Sequence, residues 1–593
     1  MERRVLLAFL LSFLVLYGYQ ALFVPPPPES NPPSVPNDLS AAEVNGVGVS
    51  SDSMRSSGSL DTAVELVAAA DANVMPSPLV TATALEDSVV ETDAFRAVFS
   101  NQGARLVSWQ LKDYVDEISG MPVDLVPRSL PEDEPSPFTL TFDDALLTAR
   151  ANGALYRASA RELQLAENTG TLTFDFEDTG GLRIQKTFRF DPVQQPFVVN
   201  VLIDVTLSGQ ALAPTIQWGP ALGGVESGST GIAYRVGPRG VIFGRVQEDG
   251  VLAEEDINRP DAGDVVERPI YRGLLRFAGV DNHYFLVAAL PGNVETAISY
   301  RSVPLPALEL DGEARDLMAF DMTFQADQVA EVPFFLGPKD FEVLEATHSA
   351  LVRSIEYGWL AWLVVPLHRS LTTVHAYVGN WGWAIIILTI LINLVIFPLR
   401  HKSVVSMRKM QELQPEMKAI QERYKNLKTT NPDKQKMNQE IMSLYRERGV
   451  NPAGGCLPML LTMPVLFAFY RLLSLSVEIR GEPFVGWITD LSLADPFYVT
   501  PVVMGATMVL QQKMTPSQAD PMQQKIMMIM PVMFTGMFIF APSGLVLYWL
   551  TSNVFGIGQQ VLTNKYISPP RVRTERPGET RPTKKAIGTK NNR

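Results

Sequence analysis

Apolar residues run without a charge through positions 381–399, WGWAIIILTILINLVIFPL, and the run stops at Arg400-His401-Lys402. Its length and composition predict a membrane-spanning helix with a basic flank. Two polar side chains interrupt it. Thr389 and Asn393 stand four residues apart and share one helical face. At 1.5 Å per residue, Asn393 falls roughly 10 Å and Thr389 roughly 16 Å inside the basic end. A buried amide or hydroxyl needs a partner or water there, so this face implies either an interhelical hydrogen bond or a wet groove.

Between residues 86 and 345 the apolar period becomes two. Phe197, Val199, Val201, Ile203, Val205 and Leu207 alternate on one face, and Leu182, Ile184, Phe188 and Phe190 do the same in the preceding run. Turn-rich pieces such as DTGG and VGPRG separate the runs, which predicts a large antiparallel β-sandwich. His283, in DNHYF, has no carboxylate assigned beside it and reads as a structural histidine rather than as sugar chemistry. Upstream, residues 1–24 carry two arginines and then an apolar run. They read as an uncleaved transmembrane anchor, with a cleaved signal peptide as the competing reading. Residues 25–85 begin PPPPESNPPSVPND and show no period, so a flexible, disordered tether is expected.

Past the β-region, the apolar run opening 357–375 is too short to span and suits a helix lying in the membrane interface. The span at 380–399 leads into a charged segment, 400–450. Met410, Leu413, Met417, Ile420, Tyr424 and Leu427 recur there at steps of three and four, and Met437, Ile441 and Leu444 follow after TTNPDK. Two amphipathic helices packed as a hairpin are expected, with Met410, Leu413 and Met417 in its core. Further spans fall at 454–475, 496–512, 526–541 and 543–563, the last two joined by a tight reversal at Ala541-Pro542-Ser543-Gly544. With the anchor, six spans result. A basic tail, 564–593, closes the chain and is expected to be disordered.

The formal net charge of −13 hides an asymmetry, because acids crowd the first 350 residues. The stretch 400–452 has 12 Lys/Arg against 6 Asp/Glu, and the tail from Lys565 has 9 against 2. Nothing here is specific for nucleic acid. Orientation by Lys/Arg instead places both termini and the hairpin in the cytoplasm and the β-domain outside. The single cysteine, Cys456, excludes an intramolecular disulfide and a cysteine-based zinc site. The sequence offers no nucleotide loop, no His/Asp/Glu metal cluster and no nucleophile–base pair, so no catalytic residue, metal or cofactor is expected. The spans hold almost no ionisable residues, unlike those of pumps and proton-coupled transporters. What remains is uncharged polarity. Asn393, Thr462, Gln511, Ser552 and Asn553 all fall in the cytoplasmic halves of their spans. If those faces converge, they form a hydrophilic recess open to the cytoplasm and closed outside. That shape suits a device that receives polar chain and releases apolar chain sideways.

GGCLPMLLTMP at 454–464, the hairpin pieces MQELQPEM and YRERGVNP, DPMQQKIM at 520–527 and PSGLVLYWLTSN at 542–553 closely resemble the YidC/Oxa/Alb family of membrane protein insertases. The likeness is dense from about residue 357 to 562, and looser in the anchor, tether and β-domain, whose arrangement resembles that of Gram-negative members. It implies a periplasmic β-supersandwich like that of galactose mutarotases, without their activity. It also implies a five-helix core in the bacterial inner membrane, its groove open to cytoplasm and lipid. Clients would be nascent inner-membrane proteins, inserted alone or together with the Sec translocon. Groove positions fall on Thr389, Asn393 and Thr462, and an apolar slide on Leu466, Tyr548 and Trp549. The basic hairpin and tail would face a ribosome or anionic lipid head groups. Family members commonly carry Arg or Lys where this chain has Asn393, so a mechanism built on a fixed positive charge at that position is not expected here. Two rivals stand beside this reading. One is a secondary transporter with a carbohydrate-binding-like periplasmic domain, which paired intramembrane charges or inverted repeats would mark; the other is a lipid-binding assembly factor.

Overall fold

The computed structural model describes residues 77–116, 120–127, 134–222, 238–248, 250–292, 294–305, 315–324, 331–424, 433–450, 457–514 and 521–563. The expected anchor, the tail at 564–593 and the tether up to residue 76 lie outside them.

Period-two patterning becomes two sheets. The larger follows an antiparallel path through Pro78–Val80, Gly170–Asp178, Leu182–Asp191, Gln195–Leu207, Val332–Pro338, Phe285–Ala289, Ile270–Asp281, Glu295–Leu305, Arg315–Phe324, Thr215–Ala221 and Thr139–Thr141. The smaller runs Pro122–Asp124, Arg105–Val115, Phe95–Ser100, Asp87–Glu91, Glu162–Gln164, and only its last pair is parallel. Phe197, Val199, Val201, Ile203 and Val205 are buried while Asp204 is exposed, as alternation requires. The two sheets meet face to face through aromatic rings. Phe99 of the small sheet lies 4.7 Å from Phe188 of the large one, and the Trp109 indole N–H donates to the Leu336 carbonyl at 3.1 Å. The same inward face carries Lys186, completely buried, whose Nζ donates to the Gly103 and Phe138 carbonyls at 2.6 and 2.7 Å. Ordered chain begins earlier than residue 86. Pro78–Val80 pairs with Gly170–Asp178 inside the stretch expected as tether, and three residues are too few to show a period.

The described helices are α1 (Ala145–Gly153) and α2 (Ala262–Glu267) within the β-domain, then α3 (Phe341–Thr347), α4 (Ala361–Val378), α5 (Trp381–Glu412), α6 (Gln414–Arg423), α7 (Asp433–Glu447), α8 (Leu457–Leu475), α9 (Val499–Met514), α10 (Pro521–Phe538) and α11 (Ser543–Leu562). Asn380 caps α5, its side chain accepting from the Trp383 N–H at 3.1 Å. The expected break at residue 399 is absent. α5 continues for 32 residues, past Pro398 and Arg400, to Leu413, where Pro415 opens α6. Charge at Arg400-His401-Lys402 therefore does not mark the end of a helix. Within the bundle α11 packs on α5, α8 and α9, α4 packs on α5 and α8, and α10 packs on α9.

Among the described helices, α5 is the one both long and apolar enough to cross a membrane. α9 has 16 residues, about 24 Å of helix, and α11 dilutes its apolarity with Ser552, Asn553, Gln559 and Gln560. The count of six spans thus has no support from helix lengths alone.

The β-domain rests on the turn after α8. His283 Nε2 lies 2.6 Å from the Ser474 carbonyl, and Glu478 Oε1 takes the Phe341 N–H at 3.3 Å and pairs with His368 Nε2 at 3.1 Å. The Arg480 guanidinium lies over the rings of Tyr284 and Phe285, 5.0 and 5.6 Å from their centroids. His283 thus contributes one contact to this joint.

Candidate functional site

Polar residues of α5, α9 and α11 meet in one seam. Thr389 is fully buried and returns its hydroxyl to its own helix, donating to the Ile385 carbonyl at 2.6 Å. Asn393, only 3% exposed, donates from Nδ2 to the Thr389 carbonyl at 2.8 Å. Ser552 Oγ of α11 stands 3.4 Å from both Nδ2 and Oδ1 of that amide. Lower in the seam Asn553 donates to Thr507 Oγ1 of α9 at 3.2 Å. Gln559 donates to the Phe397 carbonyl at 3.1 Å, beside Pro398, and Gln560 donates to the Met514 carbonyl at 3.0 Å. Interhelical bonds of this kind contribute on average about 0.6 kcal/mol each in a membrane, so they set register more than they stabilise.

The seam also holds a cation. Arg400 turns back along α5, as helical side chains do, and its Nη1 donates to Asn393 Oδ1 at 2.9 Å. The guanidinium is half-buried, and no carboxylate pairs with it among the described residues. Gly556 of α11 makes room beside it: a Cβ there would meet Gln511 Nε2 at 2.5 Å and Arg400 Nη1 at 3.7 Å. Arg400 was expected only as the cytoplasmic flank of a span. The pointer to its role was present in the sequence, since a spacing of seven places it on the face of Asn393 two turns on.

The remaining expected positions are distributed as follows. Thr462 and Leu466 are half-buried on α8, Leu466 against the core. Tyr548 and Trp549, expected together on one slide, face different neighbours. Tyr548 is buried and stacks on Phe469 of α8 at 4.3 Å, whereas Trp549 packs on Phe538 and Phe534 of α10 at 4.8 and 5.6 Å. Consecutive helical residues diverge by about 100°, which separates them. Exposed apolar surface lies instead on α8 at Met463 and Phe467 and on α10 at Ile529, Val532, Met533 and Met537.

In the hairpin, Leu413, Met417, Tyr445 and Val450 form a small buried cluster, with Met410 and Ile441 partly buried against it. Tyr445 OH reaches Met417 Sδ at 2.8 Å, Arg448 holds both oxygens of Glu416 at 3.0 Å, and Arg423 pairs with Glu440 at 2.8 Å.

The family model described as 60Kd inner membrane protein matches residues 373–570, and that of the YidC periplasmic domain matches residues 88–370. A protein of Geobacter metallireducens called Membrane protein insertase YidC is 37% identical over 581 residues, covering 96% of this chain and 99% of its own. One of the same name from Geobacter sulfurreducens is 37% identical over 586 residues, with the same coverages. A solved structure described as an active YidC insertase with the first transmembrane domain resolved shares 16% identity. It covers 83% of this chain and 95% of its own, with a TM-score of 0.33.

Proposed function

The chain belongs to the YidC family and is a membrane protein insertase of the inner membrane, and from that premise we propose how its helices do the work. The polar seam of α5, α9 and α11 is the cytoplasm-facing end of a client path. A client's polar segment exchanges hydrogen bonds with Asn393, Ser552, Asn553 and Gln511 on its way in; Thr462 extends this surface onto α8, and Thr389, fully buried, backs Asn393 through its carbonyl. Its apolar helix leaves along the exposed faces of α8 and α10, near Leu466 and Trp549. The observation that carries the reading is a row of side-chain amides and hydroxyls bonded across three helices, in a bundle whose outer surface is apolar.

No covalent chemistry is involved. Each polar group spared from hydrocarbon saves a few kcal/mol, on the order of 1–3 in proteins. Partition of the client helix supplies the drive, about 0.3–0.6 kcal/mol for each central Leu or Ile. Six spans with both termini and the hairpin in the cytoplasm complete the arrangement, supported by the Lys/Arg distribution. Clients reach the seam alone or from the Sec translocon. The basic hairpin and tail approach a ribosome or anionic lipid.

The test is insertion of a single-span client with a short polar tail into vesicles containing the full chain. Replacing Thr507, Ser552 and Asn553 with Val, Ala and Leu should slow insertion several-fold at an unchanged melting temperature. Full-rate insertion by that variant would remove the seam from the path.

A further inference from the structure

One loop, residues 476–498 between α8 and α9, fastens the β-domain ends of all three seam helices. At α5, Asn380 Nδ2 donates to the Pro483 carbonyl at 2.9 Å, and the Phe484 ring fills the space over Gly382, where a Cβ would lie 2.1 Å from it. At α11, the Ser543 N–H and hydroxyl donate to the Leu493 carbonyl at 2.7 and 2.8 Å, and the Gly544 N–H donates to the Leu491 carbonyl at 2.9 Å. Asp495, fully buried, makes the third attachment. Its Oδ2 accepts the Thr500 N–H at 2.7 Å and the Thr500 hydroxyl at 2.8 Å, taking one of the amides that α9 leaves unpaired in its first turn. Its Oδ1 turns back into the loop and accepts the Trp487 indole N–H at 3.0 Å and the Phe497 N–H at 2.9 Å. Between these anchors Tyr498 sits at φ 58°, a left-handed conformation that a bulky residue keeps only where its neighbours fix it.

The hairpin end of the seam is joined differently. There the contacts between helices run through single rotatable side chains, Asn553 to Thr507, Gln559 to Phe397 and Gln560 to Met514. A side-chain amide leaves its partner by changing rotamer, whereas the backbone N–H groups of Ser543, Gly544 and Thr500 move only with their helices. We propose that Asp495 is a positioning residue that locks the loop into a clasp on α5, α9 and α11, so that the seam widens for a client by the helices parting at the hairpin end about a fixed β-domain end. α11 is about 30 Å long, so a swing of about 10° carries its far end about 5 Å, the spacing of neighbouring extended chains. The clasp keeps the register of the three helices while a polar segment enters. This rests on the seam being the client path.

The experiment staples the seam at either end, in the full chain in vesicles, with the single native cysteine replaced as Cys456→Ser. Ala494 and Pro542 are antiparallel bridge partners, and the Cα atoms of such a pair stand about 4.5–5.5 Å apart, within reach of a disulfide. Ala494→Cys with Pro542→Cys therefore closes the clasp covalently. Met514→Cys with Gln560→Cys, joined by a short bismaleimide, ties α9 to α11 at the hairpin end. Insertion of a single-span client with a polar tail should run at one rate before and after oxidation of the first pair, and should fall several-fold when the second is crosslinked. Asp495→Asn keeps the size of the side chain but turns a donor towards Thr500. In that variant insertion should slow and the first pair should oxidise several-fold more slowly, and completed oxidation should restore insertion. A first disulfide that slows insertion as much as the second crosslink, a second crosslink without effect, or a first pair that oxidises equally fast in Asp495→Asn overturns the proposal. A first pair that does not oxidise with Asp495 in place puts the loop away from α11 and overturns it too. Replacement of Thr507, Ser552 and Asn553 separates this proposal from the reading beneath it: full-rate insertion there removes the seam from the path, whereas slow insertion there with a second crosslink of no effect counts against the clasp alone.

Discussion

Asp281 is fully buried between three cations, with Lys339 Nζ at 3.0 Å, Arg259 Nη1 at 2.9 Å and Arg239 Nε at 3.4 Å. Burial alone would raise its pKa, but the cations, Lys339 foremost, hold it below the ordinary carboxylate value. Arg259 passes the linkage on to the Ser354 carbonyl at 2.7 Å and Arg239 to Glu356 at 2.8 Å, so this one carboxylate ties the large sheet to the segment that leads into α4. Asp281→Asn should cost about 3–5 kcal/mol, because it strands a buried charge; denaturant unfolding would show it. A loss below 1 kcal/mol would mean the cluster is solvated. Asp340 behaves oppositely. Burial first, then the Glu478 carboxylate, push it up to about 6 from an ordinary 3.8, against the two N–H groups it caps. A raised folded pKa means that its contribution is fully present below about pH 4 and lost as pH rises through 6. Asparagine caps a helix equally well. The melting temperature of Asp340→Asn should therefore gain on wild type between pH 5 and 7.5, and a constant gap would contradict the assignment. Of these groups the sequence displayed residue types but not partners. Asn393 is conspicuous as an amide in an apolar run and Arg400 reads only as a basic flank, whereas no local pattern singles out Asp281 or Glu478.

Among the elements, strands such as Leu182–Asp191 and Gln195–Leu207 are legible because period two survives in them, whereas Phe285–Ala289 is buried throughout and shows none; Lys186 interrupts the inward face of the first, and its carbonyl partners explain how it stays there. The hairpin's steps of three and four were legible too, with Leu413 and Met417 buried against Tyr445. Substituting Asp for both should remove roughly 1.5–3 kcal/mol of burial at each and abolish insertion while the protein remains in the membrane. Normal insertion would make the hairpin dispensable. Hidden from the sequence was the closeness of α9 and α10. A Cβ on Gly505 would meet Thr535 Oγ1 at 2.0 Å. Gly505→Ala should thus lower the melting temperature despite the better helix propensity of alanine, about 0.5–1 kcal/mol, and Thr535→Ala should restore part of the loss. An Ala variant more stable than wild type would show that the two helices separate freely.

At the scale of the whole molecule, the alternation of a β-domain with apolar runs announced the architecture. The joint between them did not, because it is made by residues far apart in sequence: His283 and Ser474 differ by 191 positions, His368 and Glu478 by 110. Only folding brings such pairs together, and no local pattern records them. The proposed path takes a client's polar segment along the seam between α5 and α11. A photoreactive side chain at Ser552, half-buried and facing Asn393, should crosslink to a ribosome-stalled client. The same probe at Val395, 78% exposed on the opposite face of α5, should crosslink mainly to lipid. Client adducts at Val395 but none at Ser552 would contradict this path.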